Sequence, residues 1–269
     1  MTRRVAGYRL ARSLAGKSAG VATFVAFFAL WETAVRVLAV AEYVLPPPSR
    51  VVVEAVGRWP RLLDAAWITG TEIVAGYGLA ILVSLPLALL IAGSRTIERT
   101  VYPLIVFLQI VPKIAIAPLF IIWFGFGFTP KLLLVFLLCF FPITVGAVAG
   151  FKSGDPDVLD LARTTGAPAW RTFLKIRLPQ ALPELFTGLK VGAALAATAA
   201  VVAEFVASNR GLGYLLLEYN GNLETAMVFA VIVLLAAMGL ALYGLVELAE
   251  RLAIPWHVRQ RKTEPLHPA

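Results

Sequence analysis

Histidine and cysteine are almost missing from this chain of 269 residues. It has one cysteine, Cys139, inside an apolar run, and two histidines, His257 and His267, both near the C-terminal end. One cysteine makes no disulfide framework, and one thiol with two distant imidazoles makes no Cys/His metal site. Charge is scarce too, at 15% of residues against about 25% in soluble domains. The apolar segments hold no histidine, no paired aspartates and no Gly-x-Ser-x-Gly elbow, which excludes the usual forms of an intramembrane enzyme. Gly16-Lys17-Ser18 after Ala11 fits a relaxed phosphate-loop pattern. That pattern needs a preceding strand in a soluble domain, whereas an apolar run begins at about residue 20, so it is read as a chance match.

What is abundant is apolar surface: 59% of residues are hydrophobic and mean hydropathy is +0.82. This is the composition of an integral membrane protein, and apolar runs of about twenty residues specify transmembrane helices. Six are expected, near 20–40, 68–92, 101–124, 131–150, 186–206 and 225–248. The first is followed by Ala39-Val40-Ala41, which has the form of a signal-peptidase site. Its run exceeds the roughly 7–15 residues of a signal peptide and is interrupted by Glu32 and Arg36, so a retained anchor is expected. After Pro46-Pro47-Pro48, the residues Val52, Val53, Val56 and Trp59 recur at helical spacing beside Arg58 and Arg61. They predict a short helix at the outer interface.

The second and fifth runs carry small residues four apart: Gly76, Ala80, Ser84, Ala88 and Ala92 in one, Gly188, Gly192, Ala196 and Ala200 in the other. Such stripes allow helices to approach closely. The third run holds Pro103, Pro112 and Pro118, which predict a bent helix facing protein or a cavity. Seventeen of the 24 Lys and Arg residues fall in the N-terminal tail, the 93–100 turn, the loop up to Lys190 and the C-terminal tail. Five, including Lys131 and Arg210, fall in the alternate loops. The bias places both termini in the cytoplasm and accounts for the net charge of +8 without nucleic acid. The expected organisation is a basic tail over 1–19, a first span and outer segment over 20–66, a five-span core over 67–250, and a tail over 251–269.

The most polar part of that core is the loop 151–185. Residues 157–165 carry Val158, Leu161 and Ala162 at helical spacing. Gly166 suits the left-handed residue that ends such a turn, and Pro168 suits the first turn of a second helix. Trp170, Phe173, Leu174 and Leu178 form an apolar stripe with Arg171, Lys175 and Arg177 between them. Pro179 and Pro183 are expected to punctuate the return to the membrane. The result is an elbow, apolar on one side and basic on the other, shaped to sit in a groove on a soluble partner.

This elbow resembles the loop of ABC-importer permeases, which reads Glu-Ala-Ala, three residues, Gly, nine residues, Ile, one residue, Leu-Pro. Here Asp160, Leu161 and Ala162 are followed by Gly166, Ile176, Leu178 and Pro179 at the same spacing. Asp160 replaces Glu and keeps its charge; Leu161 replaces Ala and keeps its apolar character. Further likeness to the nitrate-, sulfonate- and taurine-type permeases lies in Pro112-Lys113, Ala117-Pro118-Leu119, Trp123-Phe124-Gly125 and Phe141-Pro142 before Gly150. It continues in Ala203-Glu204-Phe205 and Gly211-Leu212-Gly213, and spans about 45–257. The resemblance implies an all-α, six-span type I importer permease in the bacterial inner membrane. It implies a pair of permeases, expected as a homodimer, and two ABC ATPase subunits that bind ATP and Mg, leaving this chain without a cofactor. It also implies a periplasmic or lipid-anchored solute-binding protein and a small polar or anionic solute, of the sulfonate, taurine, nitrate or thiamine-pyrimidine kind. Asp160, Leu161, Ala162, Gly166, Trp170, Ile176, Leu178 and Pro179 are then the candidates for ATPase coupling. A secondary transporter or channel, working without an ATPase, is the alternative.

Two charges stand out at membrane depth, Lys113 in the third run and Glu204 toward the outer end of the fifth. Each costs roughly 2.5–3.5 kcal/mol near the bilayer centre, so both should face the bundle interior or water. Lys113 is a candidate for the translocation path of an anionic solute. Its other reading is structural, as a partner of Glu204 or of carbonyls freed by Pro112 and Pro118. Glu204 is read as a gate or structural group, Glu32 as structural. Gln109 and Asn209 are further pathway candidates, with Tyr219 and Asn220 near the mouth.

Overall fold

Long apolar runs in a medium without water leave backbone groups no partner but each other, and every regular element among the described residues is helical. The computed structural model describes residues 22–256. The basic N-terminal tail and both histidines lie outside the described residues. The helices are α1 (22–37), α2 (Pro48–Gly57), α3 (Trp59–Gly93), α4 (Arg95–Ile110), α5 (Ala117–Phe124), α6 (Phe128–Lys152) and α7 (Pro156–Thr164). They continue as α8 (Ala169–Thr172), α9 (Leu178–Ala207), α10 (Leu212–Gly221) and α11 (Thr225–Ala253). A 3-10 turn over Lys113–Ile116 leads into α5, and a wide π turn over Phe173–Arg177 joins α8 to α9.

Four helical stretches, α3, α6, Ala169–Val206 and α11, are long and apolar enough to cross a bilayer. The pair Arg95–Ile110 and Lys113–Phe124, bent by 85°, makes a fifth. The expected sixth, 20–40, is described as a helix only over 22–37. Three boundaries differ from expectation. The interfacial helix stops at Gly57, and Trp59 opens α3 instead, because Pro60 fits a first helical turn and Leu62 and Ala65 continue the buried face. The third run breaks rather than bends: Pro112 cannot donate to the preceding turn, and the chain restarts at Lys113 with Pro118 in the opening turn of α5. The fifth run begins at Ala169. Pro179 does not end the elbow, because the Leu178 N–H reaches back five residues to Phe173 O. That wider register absorbs the missing proline donor at the start of α9.

The chain divides into two compact units: one up to Leu62 together with Leu216–Ile232, the other Leu63–Leu215 together with Val233 onward. In the first, Trp31 packs on Phe229 with ring centroids 5.5 Å apart. Glu32 accepts from Ser49 N–H (3.0 Å) and Ser49 Oγ (2.7 Å). It thereby caps α2, whose own N-cap residue, Pro47, offers no side-chain acceptor. Arg58 pairs with Glu224 and Arg61 with Glu218 (2.7 Å), and both guanidinium groups lie 5.6 Å from the Tyr219 ring centre. The Glu224 hydrogen bond holds Arg58 above its ordinary pKa.

In the second unit α6 is the central helix, and both small-residue stripes pack on it. A Cβ on Gly76 would lie 2.5 Å from Val135 Cβ, so the Val135 side chain of α6 packs directly on the α3 backbone at that point. Ala80, Ser84 and Ala88 are fully buried along the same face. On the other side, a Cβ on Gly188 would fall 2.7 Å from Pro142 O and 3.1 Å from Gly146 Cα, so α9 meets α6 backbone to backbone. Ser84 Oγ of α3 donates to Phe140 O of α6 at 3.1 Å, a carbonyl that also accepts from Thr144 Oγ1 within α6 at 2.8 Å. Tyr77 OH donates to Leu189 O at 2.8 Å.

Adding β-branched bulk at Gly188 has no flexible neighbour to displace. Gly188→Val is expected to cost at least about 1–3 kcal/mol, lowering the thermal midpoint in detergent by roughly 5–10 °C or preventing recovery of folded protein. Gly57→Ala, whose Cβ meets nothing within 4 Å, is the control with little change.

Candidate functional site

The elbow forms for local reasons. Asp155 caps α7 by accepting the Asp157 N–H at 3.0 Å. Gly166 ends it at φ 71°, and the Ala167 N–H returns to Ala162 O at 3.2 Å. This is a Schellman-type closure, in which a glycine bears the left-handed residue without strain. Pro168 takes the N-cap position of α8 rather than its first turn, with extended ψ of 145°. The apolar stripe then divides. Phe173 turns inward, with its ring 6.1 Å from that of Phe151, and Leu178 packs on the core. Leu161, Trp170 and Leu174 turn outward, 65%, 61% and 51% exposed. Asp160 is exposed on α7, Ala162 is buried, and Ile176 and Pro179 are half-buried in the helix that continues into α9. Arg171 lies over the Trp170 ring at 5.2 Å. The exposed surface is thus a small apolar ledge edged by Arg171 and Lys175.

The second constellation is polar and lies within the bundle. Glu204 is fully buried. Thr69 Oγ1 donates to its Oε1 at 2.6 Å, and the Gly213 N–H donates to its Oε2. The Leu212 N–H donates to Thr69 Oγ1 at 2.9 Å. The carboxylate therefore sits at the start of α10 and ties α3, α9 and that first turn together, where helix dipoles favour negative charge. A Cβ on Gly213 would lie 2.8 Å from Glu204 Cβ, which gives the Gly-Leu-Gly sequence a steric reason. Beside it, Lys131 in the first turn of α6 pairs with the fully buried Glu72 of α3 and donates to Ser208 Oγ at 3.1 Å.

Lys113 is not a partner of Glu204. Its ammonium donates to Gln109 O at 2.7 Å and rests 4.6 Å from the centre of the Phe141 ring. It caps the open end of α4 at the proline break. Gln109 and Asn209 are exposed, and Tyr219 is buried against Arg58 and Arg61. The four pathway candidates do not form one cluster: Lys113 and Gln109 meet at the break, while Asn209 and Glu204 belong to the end of α9 and the loop after it. Glu72, Thr69 and Lys131 complete the polar cluster. Glu72 stands inside the second apolar run, where the argument from membrane depth applies to it as to Lys113. Lys131, expected in an outer loop, is buried because α6 starts three residues before it. Lys190 of α9 and Glu250 of α11 form another shielded pair. No group of three or more His, Cys, Asp or Glu side chains able to hold a metal occurs among the described residues.

Long apolar helices, one span broken at a proline, paired buried charges and a polar elbow fit a membrane permease. The chain belongs to the family described as binding-protein-dependent transport system inner membrane component, whose model matches residues 80–254. It is 32% identical over 238 residues to the formylaminopyrimidine transport permease protein ThiX of Halalkalibacterium halodurans, covering 88% of this chain and 95% of that one. It is 32% identical over 245 residues to the taurine transport system permease protein TauC of Escherichia coli, covering 88% and 89%. An inward-facing structure of the MetNI methionine ABC transporter shares the fold, with a TM-score of 0.63 at 17% identity, covering 73% of this chain and 98% of that chain.

Breaking the Lys131–Glu72 pair leaves a buried charge unmatched, at a cost of about 3–5 kcal/mol, whereas removing both charges together costs far less. Lys131→Met is therefore expected to lower the yield and melting temperature of the protein in detergent sharply. The double variant Lys131→Met with Glu72→Gln should recover most of that loss.

Proposed function

We propose that this chain is the transmembrane subunit of an ATP-driven importer, working as one of a pair, with its elbow docked on a separate ATPase subunit. The observation that carries this is the outward ledge of Leu161, Trp170 and Leu174. Membrane proteins do not present large apolar side chains on a polar loop without cost, and a groove on a soluble partner would cover them. Two ATPase subunits, one for each permease, would bind ATP and Mg; this chain would need no cofactor of its own. The basic residues of the elbow and of both tails support a cytoplasmic position for the elbow and the two termini, in a bacterial cell. An extracytoplasmic binding protein would then deliver the solute at the opposite face.

The mechanical route follows from continuity. Ala169–Val206 is one uninterrupted helical stretch, so a displacement of α8 is carried along the axis of α9. Because α9 meets α6 through backbone at Gly188 and Gly146, side chains cannot absorb the movement, and α6 must follow. Closure of the ATPase pair on ATP would thus shift the bundle between its two openings. The solute classes named for the similar permeases, taurine and formylaminopyrimidine, support a small polar or anionic cargo.

Gly166→Val tests the coupling. A β-branched residue in the left-handed conformation strains the corner, while open space around Gly166 leaves packing intact. The variant is expected to assemble with its ATPase in proteoliposomes and hydrolyse ATP with uptake reduced at least tenfold. Normal coupled uptake would overturn the assignment, as would a wild-type chain that transports without any co-purifying ATPase.

A further inference from the structure

Beyond the loop that meets the motor, a cavity of about 620 Å3 opens at the start of α6, lined by Glu72, Lys131, Phe126, Phe128, Ser208 and Arg210 among others. Its polar wall is built rather than incidental. The Ser208 hydroxyl accepts the Arg210 N–H at 3.1 Å and donates to Arg210 O, folding the 208–210 loop onto itself. The same hydroxyl accepts from Lys131, whose side chain is 8% exposed and whose ammonium is also paired with Glu72. One of the three ammonium donors goes to Ser208, Glu72 faces the charge as an ion partner, and Lys131 lines the cavity. The Arg210 guanidinium, at the same wall, has no side-chain partner among the described residues. Among the charged side chains that line the cavity, Lys131 and Arg210 outnumber Glu72, while Glu204 lies outside the lining and is held by Thr69 and the Gly213 N–H. The first turn of α6 adds to that positive excess, since its N-cap residue Gly127 brings no side-chain acceptor.

We infer that this cavity is a subsite for the acidic group of a small organic anion, a sulfonate or carboxylate, held by Lys131 and Arg210 against the Phe126 and Phe128 rings. The inference rests on the permease reading and adds the chemistry of the solute to it. Lys131 supplies a fixed donor because Glu72 and Ser208 hold it in place. Arg210 supplies a planar, two-pronged donor suited to an oxyanion. Lys113, at the break between α4 and α5, does not line this cavity.

The test uses the complete permease–ATPase complex in phosphatidylcholine nanodiscs. Asn209, on the cavity rim, is changed to cysteine; the chain's own Cys139 is fully buried, and the parent protein serves as its control. Labelling rates are compared for an anionic and a cationic methanethiosulfonate of similar size. The anionic reagent is expected to react roughly ten times faster, as a focused positive field requires. Arg210→Gln on that background should bring the ratio to within about twofold. Ethanesulfonate should slow labelling competitively, while neutral ethyl methyl sulfone should not. Equal rates for the two reagents overturn the proposal. A preference that ethanesulfonate does not diminish also overturns it, since that is a general field without a site. A second set of nanodiscs contains phosphatidylglycerol. If that lipid blocks labelling while ethanesulfonate has no effect in its absence, the occupant is a headgroup and the solute assignment falls. Loss of the ATPase on purification would sink the permease reading and is scored separately from these rates.

Discussion

The contact on which the structure depends is the meeting of α6 and α9 at Gly146 and Gly188. Lipid chains are as apolar as leucine, so burial of greasy side chains gives no net drive to bring helices together. Close backbone approach does, through dispersion and through hydroxyls that reach a neighbour's carbonyl. Ser84 and Tyr77 from α3 use that proximity to bond to carbonyls of α6 and α9. The three helices thus form one block, and the small-residue stripes are the surfaces along which they touch.

Buried charge follows from the same medium. Glu72 and Glu204 are both buried; Glu72 faces the Lys131 ammonium as an ion pair, and Glu204 accepts from Thr69 and the Gly213 N–H. The lysine, the threonine and the first turn of α10 are brought from other helices, so these contacts also fix helix positions. Lys113 solves a smaller problem. The proline break at Val111-Pro112 opens carbonyls at the end of α4, and the lysine covers one of them. Burial therefore has to be read group by group: a charge at membrane depth marks a constraint, and its partner says whether that constraint is structural.

The elbow is where the proposed ATPase would act on these features. Its corner is held by Gly166 and by hydrogen bonds within α7, while its second arm is fused to α9 through the π turn. A rigid lever that ends in the packed block transmits force better than a hinged loop would. The proline at 179, which would break an ordinary helix, is tolerated because the wider turn supplies a donor from Leu178 instead.

Much of this was legible in the amino-acid order alone. Apolar runs located five of the six expected spans, counting the bent pair as one; spacing of four located the packing stripes, and the residues from Asp160 to Pro179 carried the family likeness. These are local or periodic properties, set by side-chain type and helical repeat, and they need no knowledge of neighbours. The partners were not legible. That Lys131 lies under Ser208 and beside Glu72, that Glu204 caps α10, and that Leu174 faces out while Phe173 faces in depend on which helices are adjacent and at what rotation. Adjacency is decided by where backbones can approach, and a lysine four residues into a helix has the same sequence appearance whether that approach leaves it in water or seals it against a carboxylate.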